Sequence, residues 1–282
     1  MLVKPIGFLA GLAFVSALLA AILFSSHEAP EPSATSTYHL EPKEVHFSFD
    51  GPFGKYDRQQ LQRGFQVYQE VCSACHSMKM VAFRDLEEIG FTKPEVKAIA
   101  KQWKTEVPSI NPDTGEPATR KALPTDYIPS PYANEVAARA ANNNALPPDM
   151  SLLAKAREGG AHYIYSIVTG YQNQPAELLK RFPDAKTPTG LYYNPYFPNL
   201  NLAMPPPLAT EGQVTYADGT KATVDQMAKD VAAFLVWTAE PKLEKRHQTG
   251  WPVLGFLLFA TVLAWMAKRQ VWAPVKPNKR KA

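Results

Sequence analysis

Residues 70–78 read EVCSACHSM and hold the only two cysteines of a 282-residue chain. Two thiols separated by two residues suit a redox couple, half of a zinc site or a haem attachment. The histidine in Cys72-Ser73-Ala74-Cys75-His76 selects among them. C-x-x-C-H is the attachment pattern of c-type haem. Each thiol adds across one vinyl group, and the next residue then lies close enough for its imidazole to reach the iron from one face. A zinc site needs about four protein ligands, and the other histidines, His27, His39, His46, His162 and His247, are scattered. A thioredoxin-like pair belongs to a βαβ setting, and no such pattern surrounds this one. With no third cysteine, the mature protein is expected to contain no disulfide.

Working outward, YDRQQLQRGFQVYQEVCSACH (56–76) reads as a helix leading into the motif, with Asp57 as N-cap. Leu61, Phe65, Tyr68 and Val71 form one apolar face, and Gly64 suits a close helix crossing. FTKPEVKAIAKQWK (91–104) is a second helix, capped by Thr92 with Pro94 in its first turn. Residues 105–132 read as an extended surface excursion outside the core. In NEVAARAANNNALPPDMSLLAKAREGG (134–160), the asparagines and Pro147-Pro148 end one helix, Asp149 or Ser151 starts another, and Gly159-Gly160 ends it. AHYIYSIVTGY (161–171) is helical, whereas the prolines of GLYYNPYFPNLNLAMPPPL (190–208) forbid regular structure. QVTYADGTKATV (213–224) predicts a β-hairpin about Asp218-Gly219. TVDQMAKDVAAFLVWTAEP (223–241) is the last helix of the domain, with a capping box at Thr223 and Gln226. Val224, Met227, Val231, Phe234 and Leu235 make its apolar face. The fold class expected is mainly α: a class I-like c-type cytochrome domain with long loops and one β-hairpin, plus a C-terminal transmembrane helix.

Two apolar runs flank that domain. Residues 251–267, WPVLGFLLFATVLAWMA, carry no charge and have a length at the short end for a bilayer span. Trp251, Trp265 and Trp272 suit interfacial belts. Six basic residues follow the run and three precede it nearby (Lys242, Lys245, Arg246), which by the positive-inside bias puts the C-terminus in the cytoplasm. Residues 5–24 form a second charge-free run after Lys4. It reads as a signal peptide or a signal anchor; its length and the poor cleavage chemistry of Ser25-Ser26-His27-Glu28 favour the anchor. Residues 25–44, rich in Pro, Ser, Thr and Glu, read as an exposed linker. The expected order is therefore 1–24 signal or anchor, 25–44 linker, 45–250 periplasmic haem domain, 251–267 membrane helix and 268–282 cytoplasmic basic tail.

The net charge is +4, but Lys4 and the six tail cations account for more than all of it. The residues between stand at −3. The basic balance reports the membrane flanks and gives no case for nucleic-acid binding. The acidic middle suits steering of a basic partner, with Glu87, Glu88, Glu106, Asp113 and Glu116 as candidate surface charges.

His76 leaves the sixth iron position to be filled. A thioether there raises the potential and blocks small ligands, which makes an electron carrier; an open site favours gas binding or peroxide chemistry. Met78 and Met80 lie too near His76 to cross to the other haem face. Met266 is in the apolar run, Met1 is remote, and Met227 sits on a helix stripe that reads as core. Met204, in a proline-stiffened loop, is the best candidate. Met150, His162 and an open site stand as the alternatives.

The chain resembles the cytochrome c1 family, the haem subunit of ubiquinol–cytochrome c reductase, in its bacterial type. The likeness runs from about Val45 to Pro274. It is carried by QRGFQVYQEVCSACH (62–76), AARAANNNALPPDMS (137–151), AKAREGGAHYIYSIVTGY (154–171), LYYNPYFPNLNLAMPPPL (191–208), DGTKATVDQMAKDVAAFLVWTAEP (218–241) and KRQVWAP (268–274). The resemblance implies one covalent haem c on Cys72 and Cys75, ligated by His76 and Met204. It implies Arg157 at a propionate with Tyr163 beside it, and a crevice of Asn142, Ala145, Pro147, Pro148, Leu153, Ile167, Val168, Phe197, Leu202 and Pro207. It implies electron transfer from a Rieske iron–sulfur protein to a cytochrome c acceptor, beside cytochrome b in a dimeric complex of the bacterial inner membrane. Some bacterial relatives carry an extra cysteine pair in the domain; this chain cannot. Two rival readings are a ligand-binding or peroxide-reducing haem enzyme, and an anchored cytochrome c of another respiratory complex.

Overall fold

A computed structural model describes residues 3–24 and 31–275. The helices run α1 (Val3–Phe24), α2 (Ala34–Tyr38), α3 (Arg58–Glu70), α4 (Lys93–Gln102), α5 (Glu135–Ala141), α6 (Leu153–Ala156), α7 (Gly160–Thr169), α8 (Ala176–Arg181), α9 (Val224–Ala239) and α10 (Leu243–Trp272). The strands are β1 (Met78–Ala82), β2 (Val107–Ile110), β3 (Pro117–Arg120), β4 (Tyr127–Ile128), β5 (Tyr192–Tyr193) and β6 (Asn201–Leu202), paired antiparallel as β1–β4, β2–β3 and β5–β6. The domain is mainly helical, as its periodicity predicts.

Its centre is the crossing of α3 and α9, the most extensive packing between elements. Asp57 caps α3 by accepting from the N–H groups of Gln59 and Gln60, and Leu61, Phe65 and Tyr68 are buried. A Cβ on Gly64 would lie 2.0 Å from the Asp230 carbonyl oxygen and 2.7 Å from the Phe234 Cβ. The glycine is what lets the two helices approach. Phe234 then meets Phe65, Tyr68 and Trp237 at centroid distances of 5.7, 5.9 and 5.7 Å. Trp103, at the end of α4, closes the cluster against Phe65, Tyr68 and Phe83. Met227 is fully buried here, as core packing predicts. One ion pair enters this dry region: Arg63 Nε donates to Asp230 Oδ2 at 3.0 Å, while its Nη1 reaches Asp218 at 2.8 Å.

Five expectations fail. The proline-rich 190–208 segment still pairs β5 with β6, because its prolines lie outside the four paired residues. The 105–132 excursion is partly core: Ala122 and Ile128 are buried in the main cluster, where β4 pairs with β1. Residues 213–223 form no strand. The turn at Asp218-Gly219 exists, with Gly219 at φ +77°, but Val214 and Tyr216 are buried and Arg63 claims Asp218. One cross-bond, Gly212 N–H to Ala222 O at 2.8 Å, replaces a ladder. The four-residue-per-strand hairpin is instead β2–β3, inside the 105–132 excursion. At Thr223 only half of the capping box forms. The hydroxyl accepts from Gln226 N–H at 3.0 Å, but the Gln226 amide donates to Asp230. The last correction concerns the linker. From Ser33 onward it is structured and docked: Tyr38 packs edge-on against Phe182, Leu40 N–H donates to Pro195 O at 2.9 Å, and Lys43 N–H donates to Ser166 Oγ at 2.7 Å. Residues 25–30 and 276–282, which include part of the expected linker and four of the six cations of the basic tail, lie outside the described residues.

Two helices are long and apolar enough to cross a membrane, over Pro5–Phe24 and Leu243–Trp272. α10 begins well before the charge-free run, because Leu243 is buried in the domain core, and it continues past Lys268-Arg269.

Candidate haem-attachment site

Helix α3 delivers the chain at Val71 into a tight turn over Cys72–Ala74, where the Cys75 and His76 N–H groups both donate to Cys72 O at 3.1 and 2.9 Å. That turn presents Cys75 to solvent and keeps Cys72 half-buried. Burial pushes the Cys72 thiol up to about 12, with Cys75 adding to the shift.

His76 is buried. Its Nδ1 lies 2.9 Å from Pro148 O. A carbonyl only accepts, so Nδ1 carries the proton and Nε2 keeps its lone pair. Burial lowers the imidazole pKa, against the opposing pull of the Pro148 bond and Asp149. The ring is a buried imidazole held in one orientation by its Nδ1.

The Pro148 carbonyl is itself held. Asp149 accepts from Ser77 Oγ at 2.7 Å, Lys79 N–H at 2.9 Å and Ser151 N–H at 3.0 Å. Met150 N–H donates to Ser77 O at 2.8 Å and Met80 N–H to Ser151 Oγ at 3.1 Å. Residues 148–151 are thus stapled to residues 77–80. Burial pushes the Asp149 carboxyl up, but these hydrogen bonds outweigh it and leave the pKa lowered. Sequence reading missed Asp149 as the staple, having it only as a helix start.

On the Cys75 side, Tyr132 accepts from Asn142 Nδ2 at 3.0 Å and its phenol also senses Cys75. Asn142 further donates to Ala138 O at 2.7 Å, and Ala145 N–H returns to Asn142 O at 2.9 Å. The asparagine run takes left-handed φ at Asn143 (50°) and Asn144 (62°), the turn that ends α5 and starts the Pro147-Pro148 segment. Leu153 and Val168 are half-buried and pack on the main core.

The second wall is irregular. Asn194, fully buried, donates to Ile167 O at 2.8 Å and accepts from Tyr196 N–H at 3.1 Å. Phe197 N–H donates to Asn194 O at 3.1 Å, Leu200 N–H to Phe197 O at 2.8 Å and Asn194 N–H to Leu200 O at 2.9 Å. This knot holds buried Leu200 at φ +66°, a conformation a leucine adopts only under such constraint. Leu202 pairs with Tyr192 in β5–β6. Two residues on, the Met204 carbonyl accepts from Tyr171 Oη at 3.0 Å, and Tyr171 meets the Tyr192 ring edge-on at 6.5 Å. The Pro207 carbonyl is held by Gln213 Nε2 at 2.8 Å. Arg157 is exposed and near enough to Tyr163 to oppose the upward push of burial on its phenol.

The structure thus joins Cys72, Cys75, His76 and Pro148 in one hydrogen-bonded unit, and Asn142 and Ala145 in a second with Tyr132, with Pro147 in the segment between Ala145 and Pro148. It joins Ile167, Phe197, Leu202 and Met204 through Asn194, Tyr171 and β5–β6. The Asn143 amide donates to Gly190 O at 3.4 Å and ties the two walls. Of the alternatives to Met204, Met150 is buried in the core two residues from the carbonyl that holds His76. The His162 Nδ1 accepts from Val45 N–H at 3.1 Å in a separate cleft of about 650 Å³ with Glu41, Glu44, Asp50 and Glu158.

The donor set fits a covalent haem c. Two thiols precede a buried imidazole whose Nδ1 is held by the Pro148 carbonyl, the donor order that c-type haem attachment uses. Among the described residues no group of three or more His, Cys, Asp or Glu could hold a metal ion by itself. Tyr132, Tyr171 and Asn194 are site residues that local sequence reading did not find.

Comparison with known proteins places the site in a lineage. The model of the cytochrome C1 family matches residues 47–275. Cytochrome c1 of Rhodospirillum rubrum is 47% identical over 239 residues, covering 82% of this chain and 87% of its own. Cytochrome c1 of Blastochloris viridis is 43% identical over 289 residues, covering 94% and 97%. The cytochrome b-c1 complex catalytic subunit, mitochondrial, of Candida albicans is 41% identical over 273 residues, covering 96% and 92%. The chain that built this oriented histidine beside a paired-thiol turn belongs to the cytochrome c1 family.

Proposed function

We propose that this chain is the membrane-anchored haem subunit of a ubiquinol–cytochrome c reductase, carrying single electrons from a Rieske iron–sulfur protein to a cytochrome c acceptor. The observation that carries the reading is the His76 imidazole, buried and tied through Nδ1 to Pro148 O, immediately after Cys72 and Cys75. When bound, haem c supplies a one-electron iron couple.

This chain's residues do the rest. Cys72 and Cys75 fix the cofactor covalently. His76 would offer Nε2 and Met204 its thioether to the haem iron. Pinning both ligand segments keeps the ligands still as the charge changes, which lowers the reorganisation an electron must overcome. Arg157 faces a propionate, where its guanidinium suits a carboxylate, with Tyr163 alongside. Asn142, Ala145, Pro147, Pro148, Leu153, Ile167, Val168, Phe197, Leu202 and Pro207 exclude water and hold the potential up.

α10 anchors the chain in the bacterial inner membrane, with the haem domain periplasmic and the C-terminus cytoplasmic, beside cytochrome b in a dimeric complex. The name of the Candida albicans relative, a cytochrome b-c1 complex subunit, supports the pairing with cytochrome b. Residues 1–24 serve as export signal or retained anchor. The exposed carboxylates Glu87, Glu88, Asp113 and Glu116 are free to steer a basic acceptor. Glu106 is engaged by Lys121 at 3.2 Å and by the Thr119 hydroxyl.

Spectra of wild-type and Met204→Leu protein test the ligand assignment. Wild type is expected to show the methionine–iron charge-transfer band in its oxidised form. The variant is expected to lose that band and to fall in potential. A variant with an unchanged band and potential would remove Met204 from the iron.

A further inference from the structure

The turn at residues 51–54 points a phenylalanine at the membrane end of the domain. Phe53 is 73% exposed, yet its ring stacks on Trp251 of α10 at 5.0 Å between centroids and 8° between planes. A lone exposed aromatic says little; this one has a measured place along α10. Three residues later, Tyr56 N–H donates to Glu244 Oε1 at 2.8 Å and Arg58 Nη2 to Glu244 Oε2 at 3.0 Å. The Tyr56 hydroxyl donates to Glu240 O at 2.9 Å. From Glu244 to Trp251 is seven residues, about 10 Å along a helix. Residues 53–58 therefore run antiparallel to α10, and Phe53 reaches two turns toward the membrane from the domain's own anchor points.

The turn is built to hold that position. Asp50 accepts from Phe47 N–H at 2.7 Å, Gly54 N–H donates to Gly51 O at 3.3 Å, and Lys55 N–H donates to Ser48 O at 3.0 Å. Gly51 takes φ +75°, and a Cβ on Gly54 would lie 2.2 Å from the Phe49 carbonyl. Trp251 is the first residue of the charge-free run, the depth at which aromatic belts meet headgroups. Lys55, Lys242 and Lys245 are exposed and, among the described residues, in no ion pair. Glu240 and Glu244 nearby are already bound by Arg246, Lys155 and Arg58. Cations without local partners suit anionic headgroups.

We propose that the Gly51–Gly54 turn is a second membrane contact: Phe53, stacked on Trp251, seats in the boundary between lipid headgroups and acyl chains and, with α10, sets the tilt of the domain. The proposal rests on α10 spanning the bilayer. It is tested on the full-length protein in phosphatidylcholine–phosphatidylglycerol vesicles, with a nitroxide on p-acetylphenylalanine at position 53, 59 or 258 in turn. Power saturation with oxygen and with a water-soluble nickel chelate reads depth. Position 258 is expected to favour oxygen strongly and position 59, on the exposed side of α3, to favour nickel, with position 53 shifted from 59 toward 258. Position 53 matching 59 would put the turn in water and overturn the proposal. Position 53 shielded from both reagents would give it a protein cover instead of lipid, which also overturns it. Position 258 reading as water would remove the span itself, and the proposal with it.

Discussion

The α3–α9 crossing and the 190–208 wall of the crevice are both well ordered, by opposite means. The crossing is dry, aromatic and periodic. Its residues are buried against one another, and Gly64 sets how close they come. The crevice wall has almost no ladder or helix. It is held by single side chains that each satisfy a backbone group: Asn194 on Ile167 and Tyr196, Tyr171 on Met204, Gln213 on Pro207. Burial of apolar surface is non-directional, so it makes a stable scaffold. Hydrogen bonds fix individual atoms, which is what a ligand-bearing loop requires. The molecule separates stability from positioning, and mutations should separate them too.

The largest effect is expected in the crossing. Phe234→Ala removes a fully buried ring and should cost about 3–5 kcal/mol. Chemical denaturation should show a lower midpoint for the whole domain, with an unchanged haem spectrum in the folded protein. In the wall, Asn194→Ala leaves the buried Ile167 carbonyl without its donor. It should cost roughly 1–3 kcal/mol and act locally: hydrogen exchange should accelerate across residues 194–204 and stay slow in α9. If exchange rose equally in both, the separation would be wrong. Tyr171→Phe loses one bond to the Met204 carbonyl, about 1 kcal/mol. Its signature should be a change in redox potential at nearly constant unfolding midpoint; an unmoved potential would mean that the tyrosine only packs.

The smallest effect lies at the edge. A bidentate bond from Arg120 holds the Asp126 carboxyl below its ordinary 3.8, against a small opposing push from burial. A lowered carboxylate pKa contributes stability that is present above 3.8 and lost as pH falls through the lowered value. The pair is partly exposed, so its contribution is small and is screened by salt. Acid titration of stability should show a shallow loss below that range, and Asp126→Asn should flatten it. The same loss persisting in the variant would assign it to other carboxylates.

The comparison also explains what the sequence revealed. The helices of the crossing were legible because burial imposes a 3.6-residue period and caps have local chemistry: Asp57 is found as expected, and Met227 is core. The paired-thiol turn and His76 were legible because the chemistry itself sets their spacing. The crevice wall was not. Its bonds join residues 27 and 33 positions apart, and the His76 bond to Pro148 spans 72, so no local pattern marks Asn194, Tyr171 or the Asp149 staple. The hairpin misplaced at 213–224 has the same origin. Alternation and Asp218-Gly219 signalled strands, but Arg63, 155 positions away, takes Asp218, and the buried Tyr216 takes the segment into the core. The docking of Tyr38 and Lys43 onto the domain was hidden by a composition that reads as linker. Here the resemblance to a family supplied candidate site residues that periodicity could not.

Carbon monoxide added to the reduced wild-type protein in its native membrane tests the central claim most directly. A carrier with Met204 on the iron predicts an unchanged haem c spectrum at saturating gas. A shifted spectrum in the intact wild type would show a position open to small ligands, and the reading of this chain as a closed, single-electron carrier would fail.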